Sequence, residues 1–275
     1  MKISFNTSNS ISFKTSDRKV RMNDEGHIKA CNNREALYGG YDKLLYANTT
    51  LFFRYDLNTA HKTNCLTDGT WRGFRKTITE HFKDASKVNV YNFASSDGSE
   101  AYSFILSLID ELGKEEAQKY FPIHAYDIDT DVVEIAQSGI IPCDFDDIKR
   151  FNQNLKSVCE NEYYEIKTAS QNPIPFSFVA KDNLKKKVQF NVADIQNSID
   201  NIEPSNSLVL CRNFWPYLSK KDMCETIWKL SQKLDESSLL VIGYFDKFTV
   251  METLKICGFE EVCPYIYKKV PNNSF

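Results

Sequence analysis

The sequence predicts an open α/β fold built on a mostly parallel sheet, and three observations predict it. From residue 88 onward, strand-like and helix-like segments alternate. An apolar, β-prone run (Val88, Val90, Phe93) breaks around Gly98 into small and polar residues, and a helical pattern starts at Glu100. A second strand-like run, 123–126, ends on an acid, Asp127. Strand, tight turn, then helix is how open α/β sheets present a ligand at the carboxyl ends of their strands.

Taken in order, residues 1–45 are polar and rich in Asn and Ser. The alternation at Ile3/Phe5 and Ile11/Phe13 predicts short edge strands there. Residues 36–53 are apolar and aromatic. Trp71 to Phe82 has helical spacing, with Phe74, Ile78 and Phe82 on one face. Strand 88–93 leads into helix 100–112, which Gly113 can cap. Strand 123–126 leads into a helix near 130–137, ended by Gly139. The rhythm breaks over 145–187, where two β-like runs, Tyr163–Ile166 and Phe176–Val179, flank a Pro turn and predict a small antiparallel insertion. It resumes with strands 188–192 and 208–211, a helix near 220–233 capped by Ser219, and strand 239–243. A helix near 248–257, stopped by Gly258, and one closing strand around 262–267 complete the pattern. Residues 1–80 are expected to form a short N-terminal region and 81–275 the ligand-binding domain.

Composition narrows the function classes. The formal net charge of -3 supplies no global basic field for nucleic acid, and Lys185-Lys186-Lys187 reads as a solvated turn. No apolar stretch approaches the roughly 18 residues of a membrane helix, and no secretory leader follows Met1, so a cytoplasmic protein without membrane insertion is expected. The eight cysteines form no C-x-x-C pair and the four histidines have no metal-ligand spacing, so reduced thiols and no metal site are expected.

Several residues can carry chemistry. The turn at 95–100 lacks a dinucleotide fingerprint, yet Gly98 permits close backbone approach to a ligand and Glu100 can meet a cation; an ordinary βα turn is the plainer reading. Asp127 can take the hydroxyls of a ribose or simply start a helix, and Asp129 or Thr130 can do the capping instead. Asp127-Ile128-Asp129-Thr130-Asp131 is not a calcium loop, because Val132 and Ser138 stand where Gly and Glu are needed. Asp194, after strand 188–192, can accept from an adenine amine or be a loop acid. Arg212 and Tyr217, after strand 208–211, can hold an anionic group, unless Arg212 pairs with a structural acid.

Four motifs in order then carry a resemblance. Asn48-Thr49-Thr50-Leu51-Phe52-Phe53-Arg54 resembles N-x-T-x-F-F-R. Ser96-Asp97-Gly98-Ser99-Glu100-Ala101-Tyr102-Ser103 resembles S-x-G-E-E-P-Y-S. Asp127-Ile128-Asp129-Thr130 with Ala136 and Ser138-Gly139-Ile140 resembles D-I-D-x…A-x-S-G-I-Y. Cys211-Arg212-Asn213-Phe214-Trp215-Pro216-Tyr217-Leu218 resembles C-R-N-v-x-i-Y-f. Over about residues 44–269 the chain resembles the chemotaxis-receptor glutamate methyltransferases (CheR-type), which use S-adenosylmethionine. The resemblance implies a Rossmann-like class I methyltransferase fold with a seven-stranded, mostly parallel sheet. It also implies a small antiparallel β-subdomain at 145–187 that helps dock the acceptor protein, a chemoreceptor cytoplasmic domain.

The resemblance implies a set of sites as well. Asn48 and Thr50 would contact the methionine end of the cofactor, with Arg54 in support. Glu100 would face the ammonium group and Asp127 the ribose. Asp194 and Ile195, in place of the family's Asn-Leu, would flank the adenine. Arg212 and Tyr217 would line the methyl-transfer centre, Arg212 orienting the acceptor carboxylate. The chain departs from the family at Ser99 (for Glu), Ala101 (for Pro) and Gly243-Tyr244-Phe245-Asp246 (for G-x-S-E). A non-catalytic cofactor sensor, and a methyltransferase with another acceptor, are the alternative readings.

Overall fold

The computed structural model describes residues 71–143, 160–168, 176–243 and 246–270. The motif at Asn48–Arg54 and the strands expected near residues 3–13 lie outside the described residues.

Among the described residues, ten strands fall into two sheets. The main sheet contains β1 (Asn89–Phe93), β2 (Ile123–Asp127), β6 (Val188–Val192), β7 (Ser207–Cys211), β8 (Leu239–Ile242), β9 (Phe259–Cys263) and β10 (Ile266–Lys269), in the spatial order β6-β2-β1-β7-β8-β10-β9. The pairs β1–β2, β1–β7, β2–β6 and β7–β8 are parallel, and β10 runs antiparallel to both neighbours. Seven strands in this order, parallel except for β10, make the Rossmann-like architecture that the resemblance implies. The smaller sheet contains β3 (Ile140–Cys143), β4 (Tyr164–Thr168) and β5 (Phe176–Ala180), antiparallel, with β5 in the middle.

The helices are α1 (Trp71–His81), α2 (Ser99–Leu112), α3 (Thr130–Ser138), α4 (Glu160–Tyr163), α5 (Asp182–Lys185), α6 (Ile195–Ser198), α7 (Lys220–Lys233) and α8 (Asp246–Ile256). Their ends follow the local chemistry. The Ser219 hydroxyl accepts from the Asp222 N–H to cap α7, and Asp129 accepts from the Asp131 N–H to cap α3. Gly139 closes α3 in a left-handed conformation, and the Gly113 N–H donates to Ile109 O to close α2.

Strand alternation divides the core into two layers. Val90, Leu208, Leu210, Leu239 and Val241 face one cluster, which also holds Phe74, Ile78 and Phe82 of the α1 region. Tyr91, Phe93, Val209, Cys211, Leu240 and Ile242 face the other, against Ile227 and Leu230 of α7 and Val250 and Leu254 of α8. A parallel sheet covered on both faces needs apolar side chains at both parities, which is why these strands read as continuous apolar runs. Residue 80 lies inside α1, whose apolar face packs into the first layer.

Two expectations are corrected. The single closing strand at 262–267 is a hairpin, β9 and β10, turned by Pro264 and Tyr265. Tyr265 has φ +70°, and Pro followed by a left-handed residue is the order a type II turn requires. The two-stranded insertion has a third strand, β3, so its sheet begins at residue 140, not 145; Tyr163 ends the one-turn helix α4, and β4 starts at Tyr164.

Candidate functional site

The chain leaves β1 toward β2 and β6 on one side, then returns to β7 and β8 on the other. The crevice at the carboxyl ends of β1 and β7 is therefore the switch point where open sheets bind ligands. It gathers residues 94–100, Asp127, Asp194, 212–217, Gly243 and Asp246. Three residues beside it have left-handed backbones without being glycine: Ala94 (φ 53°), Ser96 (φ 50°) and Asn213 (φ 61°). Such strain costs of order 1–3 kcal/mol per residue and persists only where the surroundings hold it.

The β1 turn is tied to the end of β2. The Ser95 N–H donates to Tyr126 O at 3.0 Å, and the Ser96 N–H donates to Asp127 Oδ2 at 2.8 Å. Asp127 Oδ1 accepts the Asp129 N–H at 3.0 Å. Because Asp129 caps α3, Asp127 is spared that task. Its two oxygens take these N–H groups separately and the Ile128 N–H also favours its charge, which leaves a carboxylate, four lone pairs in all, with acceptor capacity for a ligand hydroxyl. Burial pushes the Asp127 carboxyl up to about 6, against the backbone donors that favour its charge. Gly98 makes the turn possible: its φ is +82°, and an added Cβ would sit 2.8 Å from Phe190 Cζ and 3.0 Å from Ala136 Cβ.

Beneath the turn lies a buried polar network. Arg212 Nη1 donates to Glu100 Oε2 at 2.5 Å, with the two side chains 2% and 7% exposed. Asn92 Nδ2, from inside β1, donates to Glu100 Oε1 at 2.9 Å. Burial pushes Glu100 up to about 7, opposed by the Arg212 charge and the Asn92 amide. Asp246, fully enclosed, accepts the N–H groups of Asn213 (2.6 Å) and Gly243 (2.7 Å) on one oxygen, and burial raises it to about 6. Gly243 is required by close approach, since a Cβ there would lie 2.2 Å from Asn213 Oδ1.

The remaining candidates lie around the rim. Asp194 is partly buried and caps α6 by accepting the Gln196 N–H at 2.9 Å, with Ile195 next to it against the second core layer. Tyr217 is half-buried in a short 3-10 turn, 215–217. Asn48, Thr50 and Arg54 lie outside the described residues. Arg212 is turned inward to Glu100, so balancing that buried acid is its first task. At position 99 the Ser hydroxyl donates to Asp97 Oδ1 at 2.5 Å, leaving the carboxylate two residues earlier in the turn. Asn92, Asn213 and Asp246 were not singled out from sequence for the site. Asn92 gave a local signal, as an amide inside an apolar strand, while Asn213 stands within the C-R-N motif and Asp246 ends the segment that departs from G-x-S-E.

This arrangement has a pH consequence. Glu100, Asp127 and Asp246 all titrate higher in the folded chain than at their ordinary values of 4.5, 3.8 and 3.8. The folded protein therefore holds more protons than the unfolded chain between about pH 4 and 7, and its stability falls as pH rises through that window. Scanning calorimetry of the cofactor-free protein is expected to give a Tm several degrees lower at about pH 7.5 than at about pH 5.5, at about 2–4 °C per kcal/mol. A Tm that rises over that interval contradicts the assignment of these groups as buried acids.

Comparison with known proteins agrees with the geometry. Residues 49–262 match the family described as CheR methyltransferase, SAM binding domain. The chain is 23% identical over 238 residues to the chemotaxis protein methyltransferase of Escherichia coli (strain K12), covering 86% of this chain and 74% of that protein. It is 24% identical over 235 residues to that of Salmonella typhimurium, covering 84% and 73%. A solved magnesium protoporphyrin IX methyltransferase from Synechocystis PCC 6803, with bound SAM, matches at TM-score 0.33 and 13% identity over 74% of this chain and 82% of that one.

The residues present fit S-adenosylmethionine. Asp97, Glu100, Asp127, Asp129 and Asp246 are at most 9% exposed, and among the described residues Arg212 is the one buried cation at these strand ends. That excess of acid suits a ligand with a cationic sulfur and an ammonium group. The Ser95 hydroxyl is buried with no hydrogen-bond partner among the described residues, in the turn against which such a ligand would lie.

Proposed function

This chain belongs to the CheR methyltransferase family, and from that premise we propose that it methylates glutamate carboxylates in the cytoplasmic domain of a chemoreceptor. It is an S-adenosylmethionine-dependent methyltransferase by family; the acceptor, the cytoplasmic location and the residue roles are the proposal. The observation that carries it is the acid-rich crevice at the switch point, with Asp127 beside the buried Glu100–Arg212 pair.

When bound, S-adenosylmethionine supplies a methyl group on a positively charged sulfur. Asp127 takes the ribose hydroxyls and Glu100 meets the cationic end. Asp194 and Ile195 flank the adenine, and Gly98 lets the backbone approach. Asn48, Thr50 and Arg54 complete the methionine side. Arg212 balances Glu100 and, with Tyr217, lines the methyl-transfer centre. The cofactor domain, expected over residues 81–275 after a short region 1–80, takes in α1 as well, because Phe74 and Ile78 pack into its core, and the antiparallel insertion docks the acceptor.

The chemistry of the crevice favours an acceptor that is already ionised. A glutamate side chain, with an ordinary pKa of about 4.3, needs no general base at neutral pH. Of the described histidines, His124 stacks on Tyr91 within the sheet and His81 bonds to Ser237 O, both away from the crevice. Burial pushes the Cys211 thiol well up, so it is no nucleophile. What remains for the enzyme is positioning and desolvation, worth several kcal/mol and up to about 7–11 in favourable systems.

The acceptor is tested by incubating the protein with S-adenosylmethionine and a chemoreceptor cytoplasmic fragment from the same host. Peptide mass spectrometry is expected to find methyl groups on glutamates that mild alkali removes. Methylation confined to lysine or to small molecules would rule out the carboxylate acceptor.

A further inference from the structure

We propose that Asp246 is a positioning residue whose enclosed carboxylate fixes the turn that carries Arg212 and Tyr217. The proposal deepens the methyltransferase reading and rests on it for its kinetic arm. Asp246 has no exposed surface and opens α8, whose Val250 and Leu254, one and two turns on, are wholly buried. The acid is thus held from below by a helix anchored in the core. From there it grips two strand ends at once, accepting the Asn213 N–H just past β7 and the Gly243 N–H just past β8. The Trp215 N–H also favours its charge.

The grip is needed because the turn is strained. Asn213 is left-handed at φ 61°, next to Arg212, and its carboxamide lies against Gly243, where a Cβ would come within 2.2 Å. Neither polar atom of the Asn213 side chain has a hydrogen-bond partner among the described residues, so its backbone N–H carries the hold. Two residues on, the Trp215 ring donates to Cys211 O at 2.7 Å and folds the chain into the 3-10 turn that ends at Tyr217. Asp246 thereby sets the direction in which Arg212 leaves the sheet toward Glu100. The charged or titratable groups that face it are Arg212, Glu100 and the Cys211 thiol. The chain's departure from the family at 243–246 keeps an acid, one methylene shorter than Glu, at the position that makes this hold.

The test uses full-length protein labelled with fluorotryptophan, the Trp215 resonance being assigned with Trp215→Phe. In the wild type and in Glu100→Gln, the Trp215 fluorine signal is expected to be sharp at neutral pH and to shift with a midpoint near pH 6. In Asp246→Asn the shift should vanish and the line broaden. In Asp246→Glu a sharp, titrating line should return. With an acceptor, Asp246→Asn should lower kcat about a hundredfold, the scale of a displacement of about 1 Å, and change affinity for S-adenosylhomocysteine less than about threefold. Asp246→Glu should recover at least a tenth of the turnover. A Trp215 signal unchanged in Asp246→Asn overturns the proposal, as does a cofactor affinity that falls as far as kcat. If Asp246→Asn does not fold, a Trp215 line that stays broad in Asp246→Glu overturns it. A wild type that methylates no acceptor would refute the functional reading instead, and the fluorine titration still decides this one.

Discussion

Asp127→Ala is expected to weaken S-adenosylhomocysteine binding by at least about a hundredfold. Two hydrogen bonds from ribose hydroxyls to a charged acceptor are worth about 1.5–3 kcal/mol each, or about 3–6 kcal/mol together. The same substitution removes the acceptor of the Ser96 and Asp129 N–H groups, which loosens the β1 turn that would face the ligand. Asp127→Asn separates these effects, since it keeps one carbonyl oxygen and the side-chain shape. It should bind more weakly than wild type and more tightly than Ala. The wild type carries a matching pH signature: hydroxyl donors prefer the ionised acid, so affinity should fall as pH drops below about 6, approaching tenfold per unit. Titration calorimetry reads all of this, and equal affinities in Asp127→Ala and wild type would remove Asp127 from the cofactor site.

Arg212→Ala is expected to do more than slow the reaction. It strands Glu100 as an unpaired buried acid, and breaking a buried pair from one side costs about 3–5 kcal/mol of stability. Much of that loss should return in the double variant Arg212→Ala with Glu100→Gln, because the second change removes an acid that must otherwise hold a buried charge or take up a proton. Turnover should stay low in both. Combined stability and kinetics therefore separate two roles that a single variant would confuse: balancing Glu100, and lining the transfer centre. A double variant no more stable than Arg212→Ala would mean that the Glu100 pair is not what Arg212 supports. Wild-type turnover in Arg212→Ala would dismiss it from the transfer centre.

The central strands were legible because they are buried on both faces and read as unbroken apolar runs, as at 208–211 and 239–242. The edges were harder. β3 is four residues long with Pro142 inside it, tolerable only because it is an edge strand, and its pattern is too short to stand out. The β9–β10 hairpin hid inside one apolar stretch because its turn is a Pro and a left-handed Tyr, not an Asn-Gly or Asp-Gly pair. At the site, Asp127, Glu100 and Arg212 were visible one at a time, each as a polar residue at a strand or helix end. That Arg212 spends its charge on Glu100 was not visible, since the two are 112 residues apart and no periodicity links them. Asp246 was hidden for the same reason. Its value comes from β7 and β8 lying side by side, which brings the Asn213 and Gly243 N–H groups to one carboxylate. Motif order supplied what periodicity could not, by giving Glu100, Asp127 and Arg212 expected roles toward one ligand before any fold was known.

The most direct test of carboxylate methylation is incubation of the pure protein with methyl-labelled S-adenosylmethionine and host cell lysate. The expected result is label on a receptor-sized protein that alkali releases as volatile methanol, with no transfer in Asp127→Ala. Label that survives alkali would contradict a carboxylate acceptor, and tight cofactor binding without any transfer would make the chain a cofactor sensor in place of an enzyme.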